Sequence, residues 1–241
     1  MTHSNTLNGT IEMIDTSFDV RTDIRPGSDP DKYSKTLKQF HKTLWSKELP
    51  NGKFFNLVDT ESKVYLYHKS DLGEFNLSSD GIAHSLFYVK RVEHIISQIG
   101  EKKIEDILRL FYTVPGFILF PGNQINRKIT INAARGFNAR ICDRFDLTLE
   151  CIRRYYSGTD SPLHNVISRY ADFFGLFESF EGYCDYFLLQ DLWNNSMQRI
   201  NFFLPFDDDF PTQPLPKNVT EYLSFVDAQS EFLLGRAARM D

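Results

Sequence analysis

The stretch that decides the fold is Pro115–Tyr156, PGFILFPGNQINRKITINAARGFNARICDRFDLTLECIRRYY. Its first part, Phe117–Phe120, is wholly apolar, too short for a helix and bounded by Pro-Gly on both sides, which predicts a buried strand. Its last part sets Phe145, Leu149, Ile152 and Tyr156 at helical spacing, closed by Gly158. Asp143 reads as the cap of that helix, and Asp146 lies in the first turn, where a carboxylate complements the helix dipole. Between the two runs the densest arginines of the chain.

Toward the N-terminus, Asp29-Pro30 reads as a helix start, with Tyr33, Leu37, Phe40, Leu44 and Trp45 at helical spacing before Pro50-Asn-Gly. Phe18-Asp-Val reads as a short strand. Lys53–Asp59 and Val64–His68 read as an antiparallel hairpin, with Glu74–Leu77 as a third, edge strand. Val89, Val92, Ile96 and Ile99 mark a helix left at Gly100; Ile104, Ile107, Leu108 and Phe111 mark the next. Toward the C-terminus, Ser161-Pro162 opens a helix running to Phe177, Phe180–Trp193 reads as a central apolar helix, and Arg199–Leu204 as a last strand. Phe206–Pro216 is an acidic, proline-broken loop. Asn218-Val-Thr-Glu221 is a capping box for a terminal helix. The pattern predicts an α+β fold: a mostly helical single domain over residues 15–241 with a small antiparallel sheet, built from the hairpin near 53–68 and the runs at 117–120 and 199–204. Residues 1–14 are polar and aperiodic and read as a flexible tail.

With 241 residues, 22 Phe and 11 Tyr against 2 Trp, the chain has ample material for a phenylalanine-lined core. The net charge of −5 disfavours a broad nucleic-acid footprint. No apolar run is long enough to predict a membrane span, and the first residues lack the basic-then-apolar order of a signal peptide. Cys142, Cys151 and Cys184 are odd in number and unpaired in spacing, so they read as buried small hydrophobes in a cytoplasmic protein.

Chemistry concentrates in the central stretch. From Arg127 to Arg154 there are seven bases (Arg127, Lys128, Arg135, Arg140, Arg144, Arg153 and Arg154) against three acids, Asp143, Asp146 and Glu150. Guanidinium forks suit carboxylate or phosphate, and the small residues of Asn132-Ala-Ala-Arg135-Gly136 leave room for a ligand. Arg135, Arg140, Arg144 and Arg153, with Asp143 and Glu150, are therefore the candidate ligand-binding residues. The competing reading makes Glu150–Arg154 an ordinary pair on a helix surface. Asp207-Asp208-Asp209 offers three carboxylates, but consecutive residues do not converge on one ion, so no metal site is assigned. His3, His41, His68, His84, His94 and His164 show no zinc spacing, and no nucleophile elbow, dinucleotide fingerprint or P-loop is present. The aromatic band Tyr170–Phe180 has the period of a core face.

The runs FILFPG, ITINAARG, DRFDLTLECIRRYY, SPLHNVISRYADFFGLF and FFLPFD are similar to a family of uncharacterised bacterial proteins, a domain of unknown function, from about Phe111 to the C-terminus. The resemblance implies a bacterial or phage-borne cytoplasmic protein and assigns no catalytic residue and no cofactor. The residues themselves support two expectations. One is a binding or interaction protein whose arginine-rich segment receives an anionic small molecule or a protein partner. The alternative is an enzyme acting on a phosphate-bearing, nucleotide-like substrate, with Arg135, Arg144 and Arg153 holding the anion and Asp143, Glu150 or the Asp207–Asp209 turn supplying acid, base or metal ligation.

Overall fold

The computed structural model describes residues 14–61, 64–87 and 89–240. The expected tail falls on residues outside these, except Ile14, which packs against the core. Asp29 caps the first helix, α1 (Pro30–Tyr33), as its Asp-Pro start predicts. The single helix expected from there is two. Ser34 takes an extended conformation, and its hydroxyl accepts from the Leu37 N–H at 3.0 Å, so it ends α1 and caps α2 (Lys35–Trp45). The Phe18 run is a single β-bridge, Asp19 to Thr113, followed by a 3-10 turn.

Strands β1 (Lys47–Glu48) and β2 (Phe54–Phe55) form a small hairpin around Pro50-Asn-Gly52. The main sheet is antiparallel in sequence order: β3 (Val58–Asp59), β4 (Leu66–Ser70), β5 (Gly73–Gly81) and β6 (Phe117–Pro121). The expected buried strand is there, and the expected hairpin in part: of its first run only Val58–Asp59 pairs with β4, while Phe54–Phe55 pairs with β1. The third strand is longer than its apolar core suggests and lies inside the sheet, not at its edge, because β6 pairs along Leu77–Gly81. Every residue of β6 is buried.

Helices α3 (Glu93–Ile96) and α4 (Glu101–Phe111) follow the predicted periodicity, the first shortened to one turn. Helix α5 (Ile131–Phe137), opened by Thr130, occupies the arginine-rich segment where no element was expected. Helix α6 (Phe145–Tyr156) starts one residue later than an Asp143 cap requires: Arg144 holds the cap position and Asp143 turns away. The run from Ser161 to Phe177 is broken into α7 (His164–Ile167), a 3-10 turn and α8 (Ala171–Gly175); α9 (Phe180–Tyr186) is likewise shorter than its apolar run. Strands β7 (Trp193–Asn194) and β8 (Arg199–Ile200) make a separate hairpin, so the last strand candidate does not join the main sheet. Asn218 and Glu221 form the expected cap of α10 (Val219–Ala237).

One aromatic core joins these parts. The rings of Phe173, Tyr183 and Phe187 pack within 5.3–5.4 Å of Phe177, centroid to centroid. Pairs at such separations add about 0.5–1.5 kcal/mol each beyond their area. The band from Tyr170 to Phe180 is thus core, as its period predicts. The described chain is a single α+β domain, and no helix in it is long and apolar enough to cross a membrane.

Candidate functional site

Arg135, Arg140, Arg144, Arg153 and Arg154 each end on a carboxylate of their own protein. Arg144 is buried and bound to Asp146, with its remaining donors on the carbonyls of Pro214 and Leu204 at 3.0 and 3.4 Å. Arg153 grips Glu150 at 2.7 and 2.8 Å, and Arg154 takes the same carboxylate at 2.7 Å before reaching Asp208 at 2.6 Å. Arg140, half exposed, ends on Asp209 at 3.3 Å and the Phe210 carbonyl at 2.9 Å. Two carboxylates of the Asp207–Asp209 turn are therefore counter-charges for arginines. Among the described residues no three His, Cys, Asp or Glu side chains group closely enough to hold a metal ion.

Arg135 and Asp143 lead elsewhere. Arg135 is wholly buried between the rings of Phe120 and Phe145, 5.8 and 5.7 Å from their centroids. Its Nη1 donates to Asp80 Oδ2 at 2.6 Å and to the Gly81 carbonyl at 3.1 Å; its Nε donates to Thr148 Oγ1 at 3.2 Å. Its Nη2 donates to the Asp143 carbonyl at 3.0 Å, while its own carbonyl accepts the Asp143 N–H, also at 3.0 Å. This double clamp holds Cys142 and Asp143 in the left-handed region, at φ 50° and 61°. Such a conformation costs a non-glycine residue on the order of 1–2 kcal/mol and persists only where the surroundings fix it. Here it turns the Asp143 side chain into a cleft.

The cleft, about 400 Å³ in volume, opens between α1, the end of β5, the loop after it and the turn before α6. Asp31, Asp80, His84 and Asp143 give it a polar side; Leu86, Val89, Leu108, Phe111 and Phe117 give it an apolar one. Its size and mixed lining suit a small organic molecule. The loop carrying His84 is held from α10: Gln229 Oε1 accepts the His84 N–H at 2.8 Å, and the Tyr222 hydroxyl donates to the Ser85 carbonyl at 2.8 Å. His84 Nε2 then lies 3.5 Å from Asp143 Oδ2. Leu86, at the end of this loop, is a third left-handed residue in the cleft wall, at φ 61°.

Two of the carboxyls facing this space, Asp31 and Asp143, are driven in opposite directions. Burial lifts Asp31 well above the usual carboxylate range, and the negative charge of Asp80 lifts it further; Ser79 and Arg135 offset this only in part. Asp31 as a residue is partly exposed, but its Oδ1 is enclosed and has no hydrogen-bond partner. Burial also opposes charge on Asp143, yet Arg135 and His84 outweigh it and hold that carboxyl below its ordinary value. Asp80 is raised by burial in spite of its bond to Arg135. A proton shared among these groups therefore rests on Asp31, and Asp143 is the ionised member.

Behind Asp31 stands a chain of hydrogen bonds. Trp45 Nε1–H donates to His41 Nδ1 at 3.0 Å, which fixes the proton of the neutral ring on Nε2; that nitrogen donates to Ser79 Oγ at 2.9 Å. The Ser79 proton is thereby free for Asp31. His41 is fully enclosed, and burial, aided by the charge of Arg236, pushes its pKa down to about 3. Below pH 6.5 the unfolded chain binds a proton at this ring that the folded chain refuses. Stability should therefore fall as pH drops from about 6.5 toward 3, by about 1.4 kcal/mol per pH unit from this group alone. Denaturant titrations across this range should show a slope shallower by about one proton in His41→Gln; equal slopes would remove the assignment.

Asp31, Asp80, His84 and the His41–Ser79 pair were not legible as a site. Asp31 follows the Asp29-Pro30 helix start and Asp80 lies beyond the Glu74–Leu77 strand candidate, so neither falls in a motif, and neither histidine has a ligand spacing.

Fold and site together define a single-domain α+β protein with an acidic, half-apolar cleft at one end of its sheet. The chain matches a family of unknown function (DUF6994) over residues 14–240 and belongs to it. No curated protein and no solved structure matches it.

Proposed function

We propose that the protein is an enzyme working by general acid–base chemistry in this cleft, with Asp31 as the acid and Asp143, oriented by His84 and Arg135, as the base. The observation that carries this reading is the placement of two unlike carboxyls in one small cavity: Asp31, with an enclosed and unpartnered oxygen, and Asp143, beside Arg135 and His84, surroundings that favour the proton on the first and the charge on the second. Such a pair gives a single site a protonated and an ionised carboxyl at the same pH. In a hydrolytic turnover Asp143 takes a proton from the attacking water as its oxygen bonds to the substrate. Asp31 delivers its proton to the departing atom as the old bond breaks. Left-handed backbone at Leu86, Cys142 and Asp143 supports the same reading, because strain of this kind collects at sites that need fixed geometry. We place the protein in the cytoplasm, since its three free cysteines fit a reducing compartment.

An anion- or partner-binding patch, or a phosphate-directed enzyme, over the arginine-rich segment has weaker support. Each of Arg135, Arg140, Arg144 and Arg153 already ends on a carboxylate of its own protein.

Carbon-13 titration of the aspartate carboxyls tests the acid–base reading directly. Asp31 should titrate above the ordinary carboxylate range and Asp143 below it; two ordinary curves would remove the proposal. Stability gives an independent check. The folded-state value of Asp31 is raised, so the folded chain holds this proton longer than the unfolded chain, and stability is lost as pH rises and Asp31 ionises. Asp31→Asn never ionises. Its melting midpoint should exceed that of the wild type at pH 7–8, with the gain shrinking toward pH 4.

A further inference from the structure

Resting on that reading, we propose that the cleft's substrate is a small organic cation, a protonated amine or amidinium carried on an apolar body. The argument begins with the charges at the polar side. Asp31 and Asp80 approach from α1 and β5, Asp143 from the turn before α6, and Asp29 lies on the rim. The cation beneath them is Arg135, and it is consumed: its donors end on Asp80, Gly81, Thr148 and Asp143 within the protein. Lys32 pairs with Asp29 at 3.0 Å, on the exposed side. Asp31 is left with an enclosed oxygen and no partner for it. A buried carboxyl in that position is stabilised by a donor that brings its own positive charge, and an anion would meet the carboxyls of the polar side. The opposite wall of Leu86, Val89, Leu108, Phe111 and Phe117 has nothing polar to offer a second charged group. A phosphate-bearing substrate does not fit this division; an aryl- or alkylamine does.

Binding should then be linked to protons. The groups facing Asp31 are Asp29 on its own element, Asp80 and Ser79 on β5, and Arg135 on α5. A bound ammonium adds the opposite charge that Asp31 lacks and so weakens its hold on the proton: affinity rises with pH over the range in which free Asp31 is protonated, while turnover uses the complexes in which Asp31 still carries its proton.

Calorimetry and thermal melting of the full chain with benzamidine and phenethylamine test the assignment, with 2-phenylethanol and phenylacetate as neutral and anionic matches. Both cations should raise the midpoint at millimolar concentration, and the alcohol and the acid should leave it unmoved. Affinity for phenethylamine, charged throughout, should increase severalfold from pH 5 to pH 8. Asp31→Asn should bind it about tenfold more weakly, and Asp143→Asn serves as a second variant should the first prove poorly folded. The proposal is overturned if the alcohol binds as well as the amine, or if neither cation shifts the midpoint. Should the cations fail while Asp31 still titrates high, the substrate class is lost and the acid–base reading stands. A bound amine beside an ordinary Asp31 would do the reverse.

Discussion

Arg236→Ala should cost the protein about 4 kcal/mol of stability, a large part of the roughly 5–15 kcal/mol typical of a folded domain. Arg236 lies on α10 and is wholly buried, and among the described residues no carboxylate pairs with it. Its guanidinium is held by carbonyls alone: Phe187 at 3.1 and 3.0 Å, Pro115 at 2.5 Å and Phe117 at 2.8 Å, with the Trp45 ring 5.5 Å away. Two effects oppose each other on truncation. Burial pushes the pKa of Arg236 down to about 9, so removing the charge relieves a penalty of about 5 kcal/mol. Against this, three buried carbonyls lose their donors, at about 1–3 kcal/mol each, and a large cavity opens, at about 2–5 kcal/mol. The second sum is the larger. Urea titration should therefore order the variants as wild type, then Arg236→Met, which fills the space without the donors, then Arg236→Ala. A loss below about 1 kcal/mol in the alanine variant would mean the carbonyls find other partners. The damage should also reach the cleft, because α10 carries Gln229 and Tyr222, which hold the His84 loop, and Phe117 lines the wall.

What could be read from the sequence, and what could not, divides by range. Asp29-Pro30, the apolar run of Phe117–Phe120 and the capping box at Asn218–Glu221 act within a few residues, and each forms as predicted. Ser34 is local too, but its effect depends on a hydroxyl competing with the helix backbone, which periodicity does not register. The partners of the arginines were out of reach for a different reason. Counted within their own segment they exceed the acids, yet Asp80, Asp208 and Asp209, which neutralise Arg135, Arg154 and Arg140, come from outside it. Excess charge in a window is not free charge in the fold. The cleft was invisible because its parts, near residues 30, 80 and 143, meet only through the pairing of β5 with β6 and the left-handed turn at Cys142–Asp143. Of the six candidate residues, Arg135 and Asp143 belong to it, the first as its support and the second as its lining.

Arg135→Met should be the substitution most damaging to the site, and its damage should depend on pH. The methionine fills much of the same space between Phe120 and Phe145, so packing is largely kept. What goes is the one cation between Asp80 and Asp143. Removing one partner of a buried ion pair costs about 3–5 kcal/mol, because the other charge is left uncompensated. In the wild type, Arg135 and His84 hold Asp143 below its ordinary value, so that group contributes stability above the unfolded carboxylate range and loses it as pH falls through the folded value. In the variant the sign reverses: only His84 is left to oppose burial, both carboxyls are raised, and the penalty grows as pH rises and they are forced to ionise. The stability difference between the two proteins should therefore be largest at pH 7–8 and narrow toward pH 4. The site should change with it. With Asp143 raised toward Asp31, the separation between base and acid collapses, and carboxyl titration of the variant should show the two curves drawn together. The clamp on the Asp143 backbone also loses its carbonyl contact, so the left-handed turn at Cys142–Asp143 has less to hold it. A deficit independent of pH would show that Arg135 serves packing alone, and the asymmetry on which the catalytic reading depends would then need another source.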